Sequence, residues 1–159
     1  MSLPGQHVTE LSRGTAYSFA SWPNPSVPTF GVGVYTVWHN DGRFIYVGMS
    51  GRGITAETIR RNTPQGLYTR LRSHASGRRS GDQFCVYVCD RFIVPFLRAD
   101  ALRELAEGDL KLDLLTKHHI RTYYDYRYIT DLGPYTALLL ERLIQGGALA
   151  AGKPFLNPR

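Results

Sequence analysis

The fold is decided by residues 32–48, which read VGVYTVWHNDGRFIYVG. Two runs rich in β-branched and aromatic residues, at 32–38 and 43–48, flank the dipeptide Asp41-Gly42, a strong signal for a hairpin turn. Both faces of this hairpin carry mainly apolar side chains, so we expect helices to cover both. The stretch therefore predicts an α+β fold, a mixed α/β sandwich in which helices flank a small central antiparallel sheet.

A two-residue turn places Tyr35 opposite Gly48 and Val37 opposite Tyr46. Tyr35 and Tyr46 are then diagonal neighbours on one face, with Cβ atoms about 7–8 Å apart. A three-residue loop would separate them. The alternative is that both are ordinary strand aromatics in a chain with ten tyrosines. The opposite face is expected to carry Val34, Thr36, Trp38, Ile45 and Val47.

The remaining sequence predicts further elements around the hairpin. Residues 1–30, rich in Pro, Ser and Gly, are interpreted as an N-terminal arm or irregular extension, and residues 31–159 as one domain. We expect helices at 55–61, 67–75, 100–107, 110–117 and 135–145, and strands at 83–94 and 120–130.

Positive charge is concentrated in one segment. Nineteen Lys and Arg against thirteen Asp and Glu give a net charge of +6, and residues 43–79 hold eight of the arginines with a single acid, Glu57. A localised arginine zone is typical of phosphate-backbone binding, and a solvated basic surface is the alternative. The expected nucleic-acid-binding residues are Arg43, Arg52, Arg60, Arg61, Arg72, Arg78 and Arg79.

The composition is that of an ordinary globular domain, with 43% hydrophobic and 20% charged residues. We find no apolar stretch of about 18 residues and no basic leader followed by an apolar run. We therefore expect no membrane partner and a cytoplasmic protein that is nucleoid-associated when bound to DNA.

Cys85 and Cys89 are the only cysteines and fall in the predicted strand 83–94. At strand spacing they would lie roughly 13 Å apart, too far for a disulfide, which favours a reducing compartment. A zinc set completed by His118 and His119 has unsuitable spacing. Buried thiols are therefore the preferred interpretation.

The predicted helix after the hairpin combines an apolar stripe with two basic residues. Leu67, Leu71 and Ala75 form the stripe, and Arg70 and His74 are i,i+4 neighbours on its flank. This flank would allow a cation to reach a phosphate oxygen and remain hydrated. The alternative is an ordinary surface position for His74.

The predicted helix at 135–145 contains one charge that does not fit its surroundings. The helix is apolar almost all round, which is typical of a buried helix, and a carboxylate there is costly unless it is paired or binds a metal. Arg142 is adjacent in sequence and does not face Glu141. Glu141 therefore either points through a gap to solvent or binds a hard cation such as Mg²⁺.

Taken together, these features resemble the GIY-YIG nuclease family. The matching elements are Gly33-Val34-Tyr35, Tyr46-Val47-Gly48, Arg70 with His74, Glu141 and Asn157, with Val where the family has Ile. The resemblance implies a metal-dependent endonuclease that hydrolyses DNA phosphodiester bonds with one Mg²⁺ (or Mn²⁺) per site. The segments near 49–65 and 95–118 look like insertions relative to the smallest members, which is similar to the restriction-enzyme branch.

The resemblance also implies roles for the site residues. Glu141 would bind the metal, and Arg70 would stabilise the transition-state charge. Tyr35 and Tyr46 would position the attacking water, with one of them as general base. Because a phenol has an ordinary pKa of about 10, such a base needs a nearby Arg and metal to stabilise the phenolate. His74 is the alternative base, or a hydrogen-bond partner of a tyrosine or the phosphate.

Three questions stay open at this point. Asn157 would support the scissile phosphate or the site geometry, or it is a turn residue before Pro158. DNA is the expected partner, with RNA and the choice between monomer and homodimer left open. The alternative functions are a non-catalytic nucleic-acid-binding module that retains the fold, and a protein–protein module with tyrosine anchors. The aromatic and arginine-rich run 121–128 fits both nucleic-acid readings, because its rings could stack on bases.

Overall fold

The predicted hairpin forms one half of a four-stranded antiparallel sheet, with its first strand inside the sheet and its second strand at the edge. A computed structural model of the protein describes residues 4–157, so residues 1–3 of the predicted arm and residues 158–159 of the predicted domain lie outside it. The strands are β1 (Tyr17–Ser18), β2 (Phe30–Gly31), β3 (Gly33–His39), β4 (Phe44–Ser50), β5 (Gln65–Gly66) and β6 (Tyr124–Ile129). The α-helices are α1 (Pro4–Arg13), α2 (Ala56–Arg60), α3 (Leu67–Ser76), α4 (Gln83–Val88), α5 (Ala99–Glu107), α6 (Leu112–Tyr123) and α7 (Pro134–Gln145).

The sheet has the strand order β1-β6-β3-β4, and β2 and β5 form a separate two-residue parallel pair. Each face of the sheet buries its own apolar cluster. Tyr35 and Val37 pack with side chains of α3, α4 and α6 on one face, whereas Val34 and Val47 pack with α1 and α7 on the other. The predicted α+β class, with helices on both faces, is confirmed.

The hairpin turn differs from the prediction, although the predicted cross-strand partners of Tyr35 and Tyr46 are confirmed. His39 donates its N–H to the carbonyl of Arg43 at 2.9 Å, which makes the loop three residues long. Tyr35 nevertheless pairs with Gly48 and Val37 with Tyr46, because the register shifts by one residue next to Val37. The extra residue in the second strand acts as a β-bulge and compensates for the longer loop.

That extra residue is Ile45, which lies between Phe44, the partner of Trp38, and Tyr46, the partner of Val37. The prediction for Ile45 is therefore wrong. Because the bulge interrupts the alternation of side chains, Ile45 is buried in the cluster of Val37 rather than on the opposite face.

Residues 4–30 are not an irregular extension, which corrects the prediction for this segment. Residues 4–13 form α1, and β1 pairs with β6 through Tyr17 and Tyr126 to extend the sheet by one strand. Leu11 and Phe19 are fully buried, one on each face of the sheet. The apolar residues scattered through the Pro- and Ser-rich composition therefore belong to the core.

The predicted strand at 83–94 is helical, and this prediction is wrong. Residues 83–88 form α4, followed by a π-helical turn, Cys89–Ile93. Cys85 and Cys89 are thus helical neighbours rather than distant strand residues, and both are buried free thiols, as expected. The predicted strand at 120–130 is shorter, because α6 continues to Tyr123 before β6 begins.

The outer edge of β4 is covered by the segment that follows α7. Phe155 donates its N–H to the carbonyl of Phe44 at 3.1 Å, and Leu156 to that of Ile45 at 2.9 Å. An uncovered edge strand is a template for pairing with other chains, so this segment protects the sheet. In residues 4–157, we find no helix of the length and apolarity required to cross a bilayer.

Candidate active site

Tyr35 and Tyr46 form an adjacent pair on one face of the hairpin, with ring centroids 6.2 Å apart. Tyr35 is 1% exposed, whereas Tyr46 is only partly buried. Gly48 lies opposite Tyr35, and a Cβ atom built on it would be 2.3 Å from the Tyr35 hydroxyl oxygen. The Tyr35 ring therefore occupies the space that a side chain at position 48 would fill. Because Tyr35 is buried, Tyr46 is the tyrosine that can contact a substrate.

A chain of hydrogen bonds runs inward from Tyr35. Its hydroxyl lies 2.6 Å from Nε2 of His74, and Nδ1 of His74 lies 2.7 Å from Oδ2 of Asp82. Burial raises the pKa of Asp82, but hydrogen bonds, first that from His74, outweigh it and lower this pKa to about 2. Because the Asp82 carboxylate only accepts, neutral His74 carries its proton on Nδ1 and accepts the Tyr35 hydroxyl proton at Nε2.

His74 is 1% exposed, which corrects the expectation that it stays hydrated on the helix flank. Of the roles suggested for it, the structure contains the hydrogen bond to a tyrosine. His74 can therefore act on a substrate only through Tyr35.

Asp82 is the functional residue that sequence reasoning missed. It is the N-cap of α4, accepting the N–H of Cys85 at 3.1 Å, and its Oδ2 also accepts from the Ser73 hydroxyl at 2.5 Å. An aspartate after glycine and before an apolar run is a helix-start signal that would have revealed it. The signal was lost because the run was interpreted as a strand.

Glu141 lies on α7 and is partly buried, with Oε1 accepting the N–H of Met49 at 3.1 Å. It lines a cleft of about 420 Å³ together with Arg52 and Arg70. Burial raises the pKa of Glu141, and the Met49 hydrogen bond and nearby arginines oppose that rise. Glu141 therefore faces a cleft, and its side chain is neither fully exposed to solvent nor fully buried.

Arg70 is close enough to act electrostatically on three of the predicted residues. Burial raises the pKa of Tyr35, Tyr46 and Glu141, and the Arg70 charge opposes the rise at each. For Tyr46, burial and then the negative charge of Glu141 raise the pKa to about 12. Arg70, the two tyrosines and Glu141 therefore share one electrostatic environment.

Asn157 binds both backbone groups of Val47, in the strand that carries Tyr46. Its Nδ2 donates to the Val47 carbonyl at 2.8 Å, and its Oδ1 accepts the Val47 N–H at 2.8 Å. This arrangement matches the role of supporting the site geometry. The alternative turn role involves Pro158, which lies outside the described residues.

The predicted arginine zone is not one free cationic surface. Arg43 pairs with Asp41 at 2.9 Å, Arg79 pairs with Asp113 at 2.7 Å, and Arg61 pairs with Glu57. Arg52 lines the Glu141 cleft. The remaining three predicted nucleic-acid-binding residues, Arg60, Arg72 and Arg78, are exposed.

Two sets of side chains offer potential metal ligands. His74, Asp82 and Cys85 bring one potential ligand atom each within 4.8 Å of one another. They do not fit a metal, because both His74 nitrogens are hydrogen-bonded and burial raises the pKa of the Cys85 thiol, which stays protonated. Glu141 does fit, since it offers carboxylate oxygen in a cleft with room for the waters that Mg²⁺ retains.

Gly48→Ala tests whether Tyr35 needs the space beside glycine. The new Cβ would lie 2.6 Å from Cζ of Tyr35, so the buried ring must move. We expect a loss of about 1–3 kcal/mol in the free energy of unfolding, typical of overpacking, and loss of the Tyr35–His74 hydrogen bond. Chemical denaturation measures the first, with Gly53→Ala as control because no heavy atom lies within 4 Å of that Cβ. Wild-type stability of Gly48→Ala would contradict this packing.

The described geometry unites Tyr35, Tyr46, His74 and Asp82 on one sheet face, with Glu141 near the pair. Comparisons with known protein families, with curated proteins and with solved structures find no match to this chain.

Proposed function

We propose that the protein is a divalent-metal-dependent endonuclease that hydrolyses DNA phosphodiester bonds, of the GIY-YIG type. The observation that carries the proposal is the cleft in which Glu141 faces Arg52 and Arg70. A carboxylate and two guanidinium groups at one cleft suit a hard cation and a phosphate anion together. A nucleic-acid-binding module would need the arginines alone.

Glu141 would hold a single Mg²⁺ or Mn²⁺ through its carboxylate. When bound, such an ion supplies Lewis-acid polarisation of the phosphate and stabilises charge on the leaving oxygen. The N–H of Met49 fixes one oxygen of Glu141 at 3.1 Å, which orients the carboxylate before any substrate arrives.

Arg70 and Arg52 would bind the scissile phosphate. Both are exposed, so they can reach the non-bridging oxygens of a strand lying across the cleft. A guanidinium group makes bidentate contacts to phosphate, and its charge opposes the charge that develops in the transition state.

One tyrosine of the pair would handle the proton of the attacking water. Tyr46, the more accessible tyrosine, would accept the proton of the attacking water as general base, with Arg70 and the metal ion stabilising its phenolate. Tyr35, His74 and Asp82 form a buried chain of hydrogen bonds beside it and would act as positioning residues.

In the cell, this function corresponds to a cytoplasmic protein that associates with the nucleoid when it binds DNA.

Asn157 would keep β4, and therefore Tyr46, in place through its two hydrogen bonds to Val47.

Tyr46→Phe tests the proposed function together with metal dependence. The wild-type protein is expected to nick or cut plasmid DNA with Mg²⁺ and to lose this activity in EDTA. Removing only the hydroxyl should slow cleavage by about 10²-fold, at the lower end for general acid–base groups. Tyr135→Phe, at a tyrosine that is 73% exposed on α7, is the matched control and should cut at the wild-type rate. Metal-independent cleavage, or none on plasmid, branched DNA and RNA, would refute the proposal.

A further inference from the structure

A second and larger groove lies beside the candidate active site. It has a volume of about 1040 Å³ and runs between the π-helical turn after α4, the end of α7 and the segment that covers β4. Asn157 lines the groove, and Glu141 and Arg70 line only the smaller cleft. Because Asn157 also binds Val47 next to Tyr46, one end of the groove borders the candidate site.

The groove is cationic. Arg91, Arg142 and Lys153 line it, against one acid, Asp90. In residues 4–157, none of these three cations forms an ion pair, unlike Arg43, Arg61 and Arg79 of the predicted arginine zone. The groove therefore holds positive charge that is free to bind phosphate groups.

An aromatic platform stands in the same groove. Phe155 is 48% exposed, although its neighbour Leu156 is buried. Cζ of Arg91 lies 4.8 Å from the centroid of the Phe155 ring. The Phe92 ring packs against the Phe155 ring, with the two ring centroids 5.6 Å apart. A backed aromatic ring among unpaired cations is the combination on which bases of single-stranded nucleic acid stack.

We propose that this groove binds unpaired nucleotides next to the scissile phosphate, with a base stacked on Phe155 and phosphates bound by Arg142 and Lys153. The inference deepens the proposed endonuclease function and rests on it. It identifies the substrate class as nucleic acid that is single-stranded, or locally unpaired, on one side of the cleavage site. A paired base in an intact duplex keeps its face stacked on its neighbours, so Phe155 contributes only when a base is free.

The test measures binding without cleavage. The full chain carrying Glu141→Gln is titrated in EDTA into two fluorescein-labelled probes, a 12-nucleotide thymidylate strand and a 12-base-pair duplex. Phe155→Leu keeps an apolar side chain beside Phe92 and removes the stacking face. Stacking is worth about 1–3 kcal/mol per base, so single-strand affinity should fall about 5-fold or more while duplex affinity is unchanged. Phe155→Trp should retain single-strand affinity.

The control is Phe96→Leu, at a phenylalanine that is 75% exposed outside the groove, and it should change neither affinity. The Arg142→Ala and Lys153→Ala double variant should reduce the salt dependence of single-strand binding by about 0.7 per lost phosphate contact. Equal single-strand affinity for Phe155→Leu and its parent would overturn the inference.

This outcome is separable from failure of the proposed function. If wild-type protein cuts DNA but Phe155→Leu binds single strands normally, the groove proposal is wrong and the nuclease proposal stands. If Phe155→Leu weakens single-strand binding but wild-type protein never cuts, the groove binds nucleic acid and the catalytic proposal is wrong.

Discussion

Glu141→Gln should abolish Mg²⁺-dependent DNA cleavage, with a loss of about 10²-fold or more, the scale for removing one transition-state stabiliser. Glutamine keeps the size of the side chain and an oxygen that can still accept the Met49 N–H, so the fold should be unaffected. It lacks the negative charge that a hard cation requires. The loss should therefore reflect chemistry rather than unfolding.

The measurement is the initial rate of plasmid nicking at saturating Mg²⁺, with the melting temperature of each protein measured in parallel. Glu107→Gln, which makes the same change at an exposed residue that ends α5, is the control and should retain full activity. A Glu141→Gln protein that nicks at the wild-type rate would remove Glu141 from the site.

Asp82→Asn should have the largest effect on stability. Asp82 is 1% exposed, and its carboxylate accepts from His74, Ser73 and the backbone of Cys85. Hydrogen bonds to a charged group are worth about 1.5–3 kcal/mol each, so weakening this set should lower the free energy of unfolding by about 3 kcal/mol. The substitution also removes the group that holds His74 against Tyr35, so cleavage should fall as well.

The pH dependence of this effect has a definite sign. Burial alone would raise the pKa of Asp82, but hydrogen bonding, chiefly from His74, lowers it from its ordinary value to about 2. The carboxylate therefore contributes stability that is fully present above about pH 4 and is lost as the pH falls through about 2. At about 1.4 kcal/mol per pKa unit, the pH-dependent stabilisation by the Asp82 carboxylate amounts to roughly 2–3 kcal/mol.

Urea denaturation at pH 7, 5 and 3 measures the gap in the free energy of unfolding between wild type and Asp82→Asn. This gap should be constant between pH 7 and pH 5 and smaller at pH 3. Asp100→Asn, at an exposed aspartate in the first turn of α5, should show almost no gap at any pH. A pH-independent gap for Asp82→Asn would mean that the carboxylate charge does not stabilise the fold.

The central hairpin could be predicted because its information is local. Alternating apolar residues and Asp41-Gly42 suffice to indicate two antiparallel strands, and Tyr35 does pair with Gly48. The loop length and the bulge at Ile45 could not be predicted, because the extra residue in the loop is compensated by the extra residue in the strand, and the pairing of Tyr35 with Gly48 is the same with or without both. The His39–Arg43 hydrogen bond, the register shift and the position of Ile45 in the core reveal the difference.

The periodicity of residues 83–93 alone does not predict their helical course. A short apolar run such as this one fits a strand and a buried helix equally well by periodicity. Phe84, Cys85 and Val88 are buried together because α4 packs on the sheet, and that tertiary contact decides the outcome. Asp82 was missed as a direct result, since its role depends on being the N-cap of that helix.

The candidate site was predicted in outline because each residue breaks a local rule. Glu141 in an apolar helix and Gly48 opposite a tyrosine both attract attention in the sequence. The groove around Phe155 had no such signal. It is formed by α7, the turn after α4 and the final described segment, three regions that only the folded chain brings together.

The segment that covers β4 gives the protein a timing property during its own synthesis. Asn157 both completes the candidate site and binds Val47, while Phe155 and Leu156 close the edge of the sheet. The ribosome delivers the hairpin more than 100 residues before Asn157, which is 110 residues from Val47. Without this segment, β4 lacks its cover and the candidate site lacks Asn157, so the proposed nuclease activity would require residue 157 to have been synthesised and folded back.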